Sequence, residues 1–129
     1  MELVTRIYAS LDAGDESFSA LVSPEIVFDF SRRLIDPIVL HGLEQARAWG
    51  DQERQMWEAG RVYWQPEELI DAGDHVVALI RTGGRGKASG VEVSAHVWNV
   101  WTLRDGKAVE WTYFGDDKAA ALESAGLAE

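Results

Sequence analysis

Apolar residues Leu3, Ile7 and Leu11, then Phe18, Leu21 and Val22, recur at the three-to-four residue interval of a helix, with Gly14-Asp15 between the groups as a stop followed by a start. The pattern predicts a helix, a break and a second short helix that Pro24 ends. Glu25-Ile26-Val27-Phe28-Asp29-Phe30 has the β-branched and aromatic density of a strand. Ser31 to Leu40, with Asp36-Pro37 inside it, reads as a loop leading into a brief extended piece, Ile38–Leu40. Leu43 to Gly60 carries Ala46, Trp49, Met56 and Trp57 among polar residues, which predicts a third, longer helix with Gly60 as its C-cap.

From Arg61 to Gly115 the residues alternate or are rich in β-branched and aromatic types. Three turn signals divide the stretch: Ala72-Gly73-Asp74, the glycine-rich Gly83 to Gly90, and Arg104-Asp105-Gly106-Lys107. Four strands are predicted, Val62–Asp71, His75–Thr82, Val91–Leu103 and Ala108–Phe114. The Gly83–Gly90 stretch lacks the Gly-Lys-Ser/Thr ending of a phosphate loop and is predicted as a hairpin turn. Asp117 is placed to cap a terminal helix, Lys118–Ala125, closed by Gly126. Helices first and an antiparallel meander afterwards make an α+β plan, with a curved sheet wrapping the long helix over a single domain, residues 1–129.

Composition narrows the function classes. The 129 residues include no cysteine, which excludes a disulfide, a thiolate zinc site and a cysteine nucleophile. Twenty-two acidic against twelve basic residues give a net charge of −10, which repels a phosphate backbone, so neither nucleic acid nor an anionic membrane is an expected partner. The apolar run Val76-Val77-Ala78-Leu79-Ile80 is far short of the ~20 residues that span a bilayer, and Met1-Glu2-Leu3 lacks the basic start of a signal peptide, so a cytoplasmic location is expected. His41, His75 and His96 do not pair with carboxylates at metal-ligand spacing, and no metal or cofactor is expected.

The order of elements and the words within it resemble the nuclear transport factor two-like superfamily, and within it the SnoaL-like and ketosteroid-isomerase-like proteins. The resemblance is carried by Tyr8 to Asp15, Leu40-His41-Gly42-Leu43-Glu44-Gln45-Ala46, Glu68 to Asp74, Val100 to Lys107 and Ala121 to Leu127. It implies a cone-shaped barrel of a strongly bent, mostly antiparallel sheet around an apolar pocket, with the sheet's outer face commonly making a homodimer. The implied activity is proton transfer on a small apolar or aromatic carbonyl compound, by an isomerase or aldol-type cyclase; the alternative is a non-catalytic dimeric module that binds such a ligand. Water addition to an epoxide would need an arginine between two carboxylates, and Arg81 is the strand arginine available.

Strand alternation sorts the candidates. Val97, Asn99, Trp101 and Leu103 share one face and His96, Trp98, Val100 and Thr102 the other. The resemblance turns Asn99 inward as a donor to a developing enolate oxygen, and turns Trp111 and Tyr113 inward on the last strand. Its base position falls on Phe30, with Asp29 one residue earlier; a bulge would bring Asp29 in, and Asp36 is the other candidate base. Asp29, Asn99 and Tyr113 are the expected catalytic residues, and Tyr8, Phe30, Trp57, Val97, Trp101 and Trp111 the expected lining. The outward Trp98, Val100 and His96 predict an apolar patch that a second copy covers.

Overall fold

Period-two alternation along the C-terminal half builds most of one curved, open, six-stranded sheet. The structure is a computed structural model that describes residues 2–14, 17–58 and 62–127. The elements are α1 (Glu2–Ala13), α2 (Phe18–Leu21), β1 (Val22–Phe30), β2 (Ile38–His41), α3 (Leu43–Arg54), β3 (Tyr63–Ala72), β4 (His75–Arg85), β5 (Glu92–Arg104), β6 (Lys107–Gly115) and α4 (Lys118–Ser124). Strand order is β2-β1-β6-β5-β4-β3; β1 runs parallel to β6, and the other neighbours are antiparallel. Phe30, the β4–β5 turn and the start of β3 therefore share one end of the cone, called the mouth below. The β3–β4 and β5–β6 turns share the other.

The inner face carries Phe28, Phe30, Val76, Ala78, Ile80, Val97, Trp101 and Trp111, packed in one cluster with Val4, Ile7 and Tyr8 of α1. Full burial of each α1 side chain contributes about 1.5–3 kcal/mol. Two helices of equal length, α1 and α3, serve the inner cluster; α1 contributes those three fully buried residues and α3 only Ala46. α1 ends at Gly14, whose φ of +67° a side chain would strain.

On the outer face Val77, Trp98, Val100 and Phe114 pack under Ala121, Leu122 and Ala125 of α4. The patch expected to be left for a second copy is thus corrected: the chain's own last helix covers Trp98 and Val100, while His96 stays exposed and pairs with Glu67 at 3.0 Å. The predicted cap is present, Asp117 accepting the Ala120 N–H at 3.0 Å.

Three elements differ from the sequence pattern. β4 runs on through Gly83 and Gly84, which were expected in the turn, because a Cβ on Gly83 would stand 2.2 Å from the Val93 carbonyl oxygen and 2.6 Å from the Tyr63 hydroxyl. These glycines answer close packing, and the turn begins beyond Arg85. The helix expected over Leu43 to Gly60 stops at Arg54, since Trp57 pairs with Gly86 across the mouth; Gly60 lies outside the described residues. β1 begins at Val22, with a register shift between Val22 and Val27 that accommodates Pro24.

Candidate functional site

The inner faces of β5 and β6 set four side chains in a block, Asn99 opposite Tyr113 and Trp101 opposite Trp111. Tyr8 meets this block from α1. Its hydroxyl lies 2.7 Å from Trp101 Nε1 and 3.0 Å from Asn99 Nδ2, and its ring meets Trp101 edge-on at 5.5 Å. Trp101 and Trp111 stack at 4.6 Å and 24°. Burial pushes the Tyr8 pKa up, and the hydrogen bonds with Trp101 and Asn99 only partly offset it. The phenol therefore stays protonated across the physiological range. Asn99 Oδ1 and Trp111 Nε1 are buried without a partner among the described residues, each at a cost of about 1–3 kcal/mol.

Toward the mouth, Phe30 packs on Trp111 at 5.0 Å, Trp49 at 5.3 Å and Tyr113 at 6.3 Å, and Trp64 packs on Trp111 at 5.7 Å. Aromatic rings pack across the inner face, and an open cleft of about 830 Å³ lies at the opposite end, by the β3–β4 and β5–β6 turns. Tyr113 is half-buried, and its hydroxyl has no hydrogen-bond partner among the described residues. The β1–β2 loop sits at the mouth on two arginine anchors, Arg32 over Phe114 and Arg33 over Trp49 and beside Glu53 at 3.5 Å.

Of the predicted residues, Tyr8, Phe30, Val97, Asn99, Trp101, Trp111 and Tyr113 come together on the inner face. Asp29 does not join them. Phe28 and Phe30 both point inward, so the pleat turns Asp29 outward, where it accepts hydrogen bonds from Ser31 N at 3.1 Å and Ser31 Oγ at 2.6 Å. The register shift in β1 lies upstream and leaves this parity in place. Trp57 lies apart as well, against Gly84. Asp36 is exposed in the mouth loop at φ +51°. Among the described residues the buried polar side chains are Ser10 and Asn99, and no group of three His, Asp or Glu is placed to hold a metal ion.

A family model for the SnoaL-like domain matches residues 4–111. The chain belongs to the SnoaL-like family. A solved NTF2-like protein from Burkholderia thailandensis E264 is 22% identical, with 97% of this chain and 95% of that one covered and a TM-score of 0.77. A Catenulispora acidiphila protein with a ketosteroid isomerase-like fold, solved in complex with trimethylamine, is 20% identical over 98% and 93% of the two chains, TM-score 0.75. A Jannaschia sp. CCS1 protein assigned to the SnoaL-like polyketide cyclases is 23% identical over 96% and 88%, TM-score 0.74. At such identities the likeness establishes the fold and no activity. A search of curated protein sequences finds no match.

What sequence reasoning missed in this SnoaL-like domain is the reach of Tyr8. The sequence offers it only as a lining residue, yet its hydroxyl sits at the centre of the polar cluster, bonded to Asn99 and Trp101. The available signal was its place beside Ile7 and one turn after Val4, on the apolar face of α1. The buried phenol gives a pH signature. Between pH 10, where an unfolded tyrosine ionises, and its higher folded pKa, the native state holds a proton that the unfolded state has lost, so stability falls as pH rises. Tyr8→Phe should lower stability by about 1–3 kcal/mol near neutrality, since Asn99 and Trp101 lose their acceptor. That difference should shrink above about pH 10 in urea unfolding; a difference independent of pH would show that the phenol is not sequestered.

Proposed function

We propose that this domain binds a small, flat, mainly apolar molecule bearing a carbonyl group against the inner face of its sheet. The observation that carries the reading is the buried, neutral Tyr8–Asn99–Trp101 cluster, with two polar atoms left unpartnered among aromatic rings. A ligand carbonyl would accept from the Trp111 indole N–H and so relieve one hydrogen-bonding deficit of the free protein, and the aromatic rings match a flat apolar body. Entry requires the half-buried Trp49, Trp64 and Tyr113 to move at the mouth. A homodimer would use the part of the outer face that α4 leaves open, around Ile70 and Leu79.

Proton-transfer catalysis is the second reading. Asn99 and Tyr113 would stabilise an enolate oxygen while Asp29 or Asp36 holds the proton. Its specific support is Asp36, an aspartate at positive φ before Pro37 in the mouth loop, a conformation that costs energy and is common at functional sites. Against it stands the outward Asp29.

Titration with 1-tetralone separates the two. Saturable quenching of tryptophan fluorescence, with no acceleration of deuterium exchange at the ketone's α-carbon in D2O, is the expected result. No binding up to the solubility limit would sink the ligand-binding reading. Accelerated exchange that is lost in Asp36→Asn or Asp29→Asn would make the domain an enzyme.

A further inference from the structure

At the tip of the β1–β2 loop, Leu34 is 100% and Ile35 75% exposed. Met56, just past α3, and Val91 and Val93, beside the β4–β5 turn, are exposed as well. These are five of the six large apolar side chains exposed among the described residues, and all five stand around the mouth; the sixth, Val39, lies on the edge strand β2. Contacts between the segments hold them together. The Lys87 N–H donates to the Met56 carbonyl at 3.0 Å, and Arg33 of the loop reaches Glu53 near the end of α3 at 3.5 Å. Leucine and isoleucine side by side on an exposed tip do nothing for packing in the free chain, and their clustering with three further apolar side chains marks an interaction surface.

Charge follows the same division. Residues 31–37, 54–58 and 85–93, which carry these side chains, hold five basic groups against three acidic ones, in a chain that holds twelve against twenty-two. The net charge of −10 opposes an anionic surface at a distance, but salt screens each charge beyond about 8 Å, so at contact the rim's own charges decide. A side chain as exposed as Leu34 stands clear of any groove, and a second copy would bring its own charge of −10. A lipid surface yields to a protruding side chain, takes leucine and isoleucine out of water and offers phosphates to arginine and lysine. We propose that the mouth rim docks on a lipid surface containing anionic headgroups, with Leu34 and Ile35 inserted. The docking goes beyond the ligand-binding reading and does not rest on it; where both hold, an apolar ligand passes from lipid to the inner face without crossing water.

The test is flotation of the full chain with vesicles of phosphatidylcholine containing one-fifth phosphatidylglycerol. The bound fraction should rise saturably with lipid. Leu34→Asp and Ile35→Asp should each lower the partition coefficient by about tenfold or more, and Lys87→Ala by about fivefold. Arg104→Ala removes a basic group from the opposite end and should change nothing. Leu34→Asp should keep the wild-type urea midpoint because the side chain is wholly exposed, so its loss of binding cannot be a loss of fold. No flotation at millimolar lipid, or binding that Leu34→Asp leaves intact, overturns the proposal. So does a wild-type dimer that Leu34→Asp dissociates in the absence of lipid, which would make a second copy the cover. The 1-tetralone titration contains no lipid and reads the ligand site separately, so either reading can fail without the other.

Discussion

Trp101→Ala should remove most of the stability of the fold. Trp101 is fully buried, stacks on Trp111, meets the Tyr8 ring edge-on and donates its indole N–H to the Tyr8 hydroxyl. Truncating a buried tryptophan costs about 3–5 kcal/mol through lost transfer free energy and the cavity left behind. Tyr8 also loses the donor it receives, about 1–3 kcal/mol more, although these terms overlap because both fall in one cluster. Against a total of roughly 5–15 kcal/mol for a domain, the variant should be marginal or unfolded at 25 °C. Trp101→Phe keeps a ring against Trp111 and loses chiefly the N–H, so its cost should be near 1–2 kcal/mol. Urea unfolding followed by circular dichroism measures both. A loss below about 2 kcal/mol for Trp101→Ala would mean that the aromatic stack repacks freely, and that the Tyr8–Asn99 geometry is not fixed by it.

The parts of the site legible in the sequence are those that obey a local period. In β5 the two-residue alternation separates Val97 and Trp101 from Trp98 and Val100, and the structure divides them between its two clusters in the same way. The alternation of β6 likewise places Trp111 inside and Phe114 outside. What was not legible depends on contacts between distant segments. Gly83 reads as a turn residue, but it is small because Tyr63 and Val93 press against it. Trp57 fits a helical pattern until Gly86 offers its backbone a strand-like partner. Tyr8 sits on an apolar helix face, and no period says which strand that face will meet; the bond to Asn99 spans 91 positions of sequence. The patch around Trp98, expected to be covered by a second copy, shows the same limit, because its cover comes from α4 in the last stretch of the chain.

That cover makes Leu122→Asp the more informative way to open the outer face. α4 has seven residues, too few for a helix to hold in water by its own hydrogen bonds, so it is helical because it docks. Leu122 is buried against the sheet, and a carboxylate there would have to be desolvated beside apolar neighbours. Undocking is the cheaper outcome. Val77, Trp98, Val100 and Phe114 would then be wetted, with an expected loss of about 2–4 kcal/mol. The inner cluster, on the opposite side of the sheet, should keep its near-ultraviolet signal. The exposed face should bind an apolar dye and associate as concentration rises, which light scattering detects. Trp98→Glu, by contrast, buries its charge beneath α4 and so perturbs folding before it can report on assembly. If Leu122→Asp unfolds at the wild-type urea midpoint and binds no dye, α4 is not the cover that the packing implies. If the near-ultraviolet signal collapses with it, the two faces of the sheet form one cooperative unit, and the inner site depends on the helix behind it.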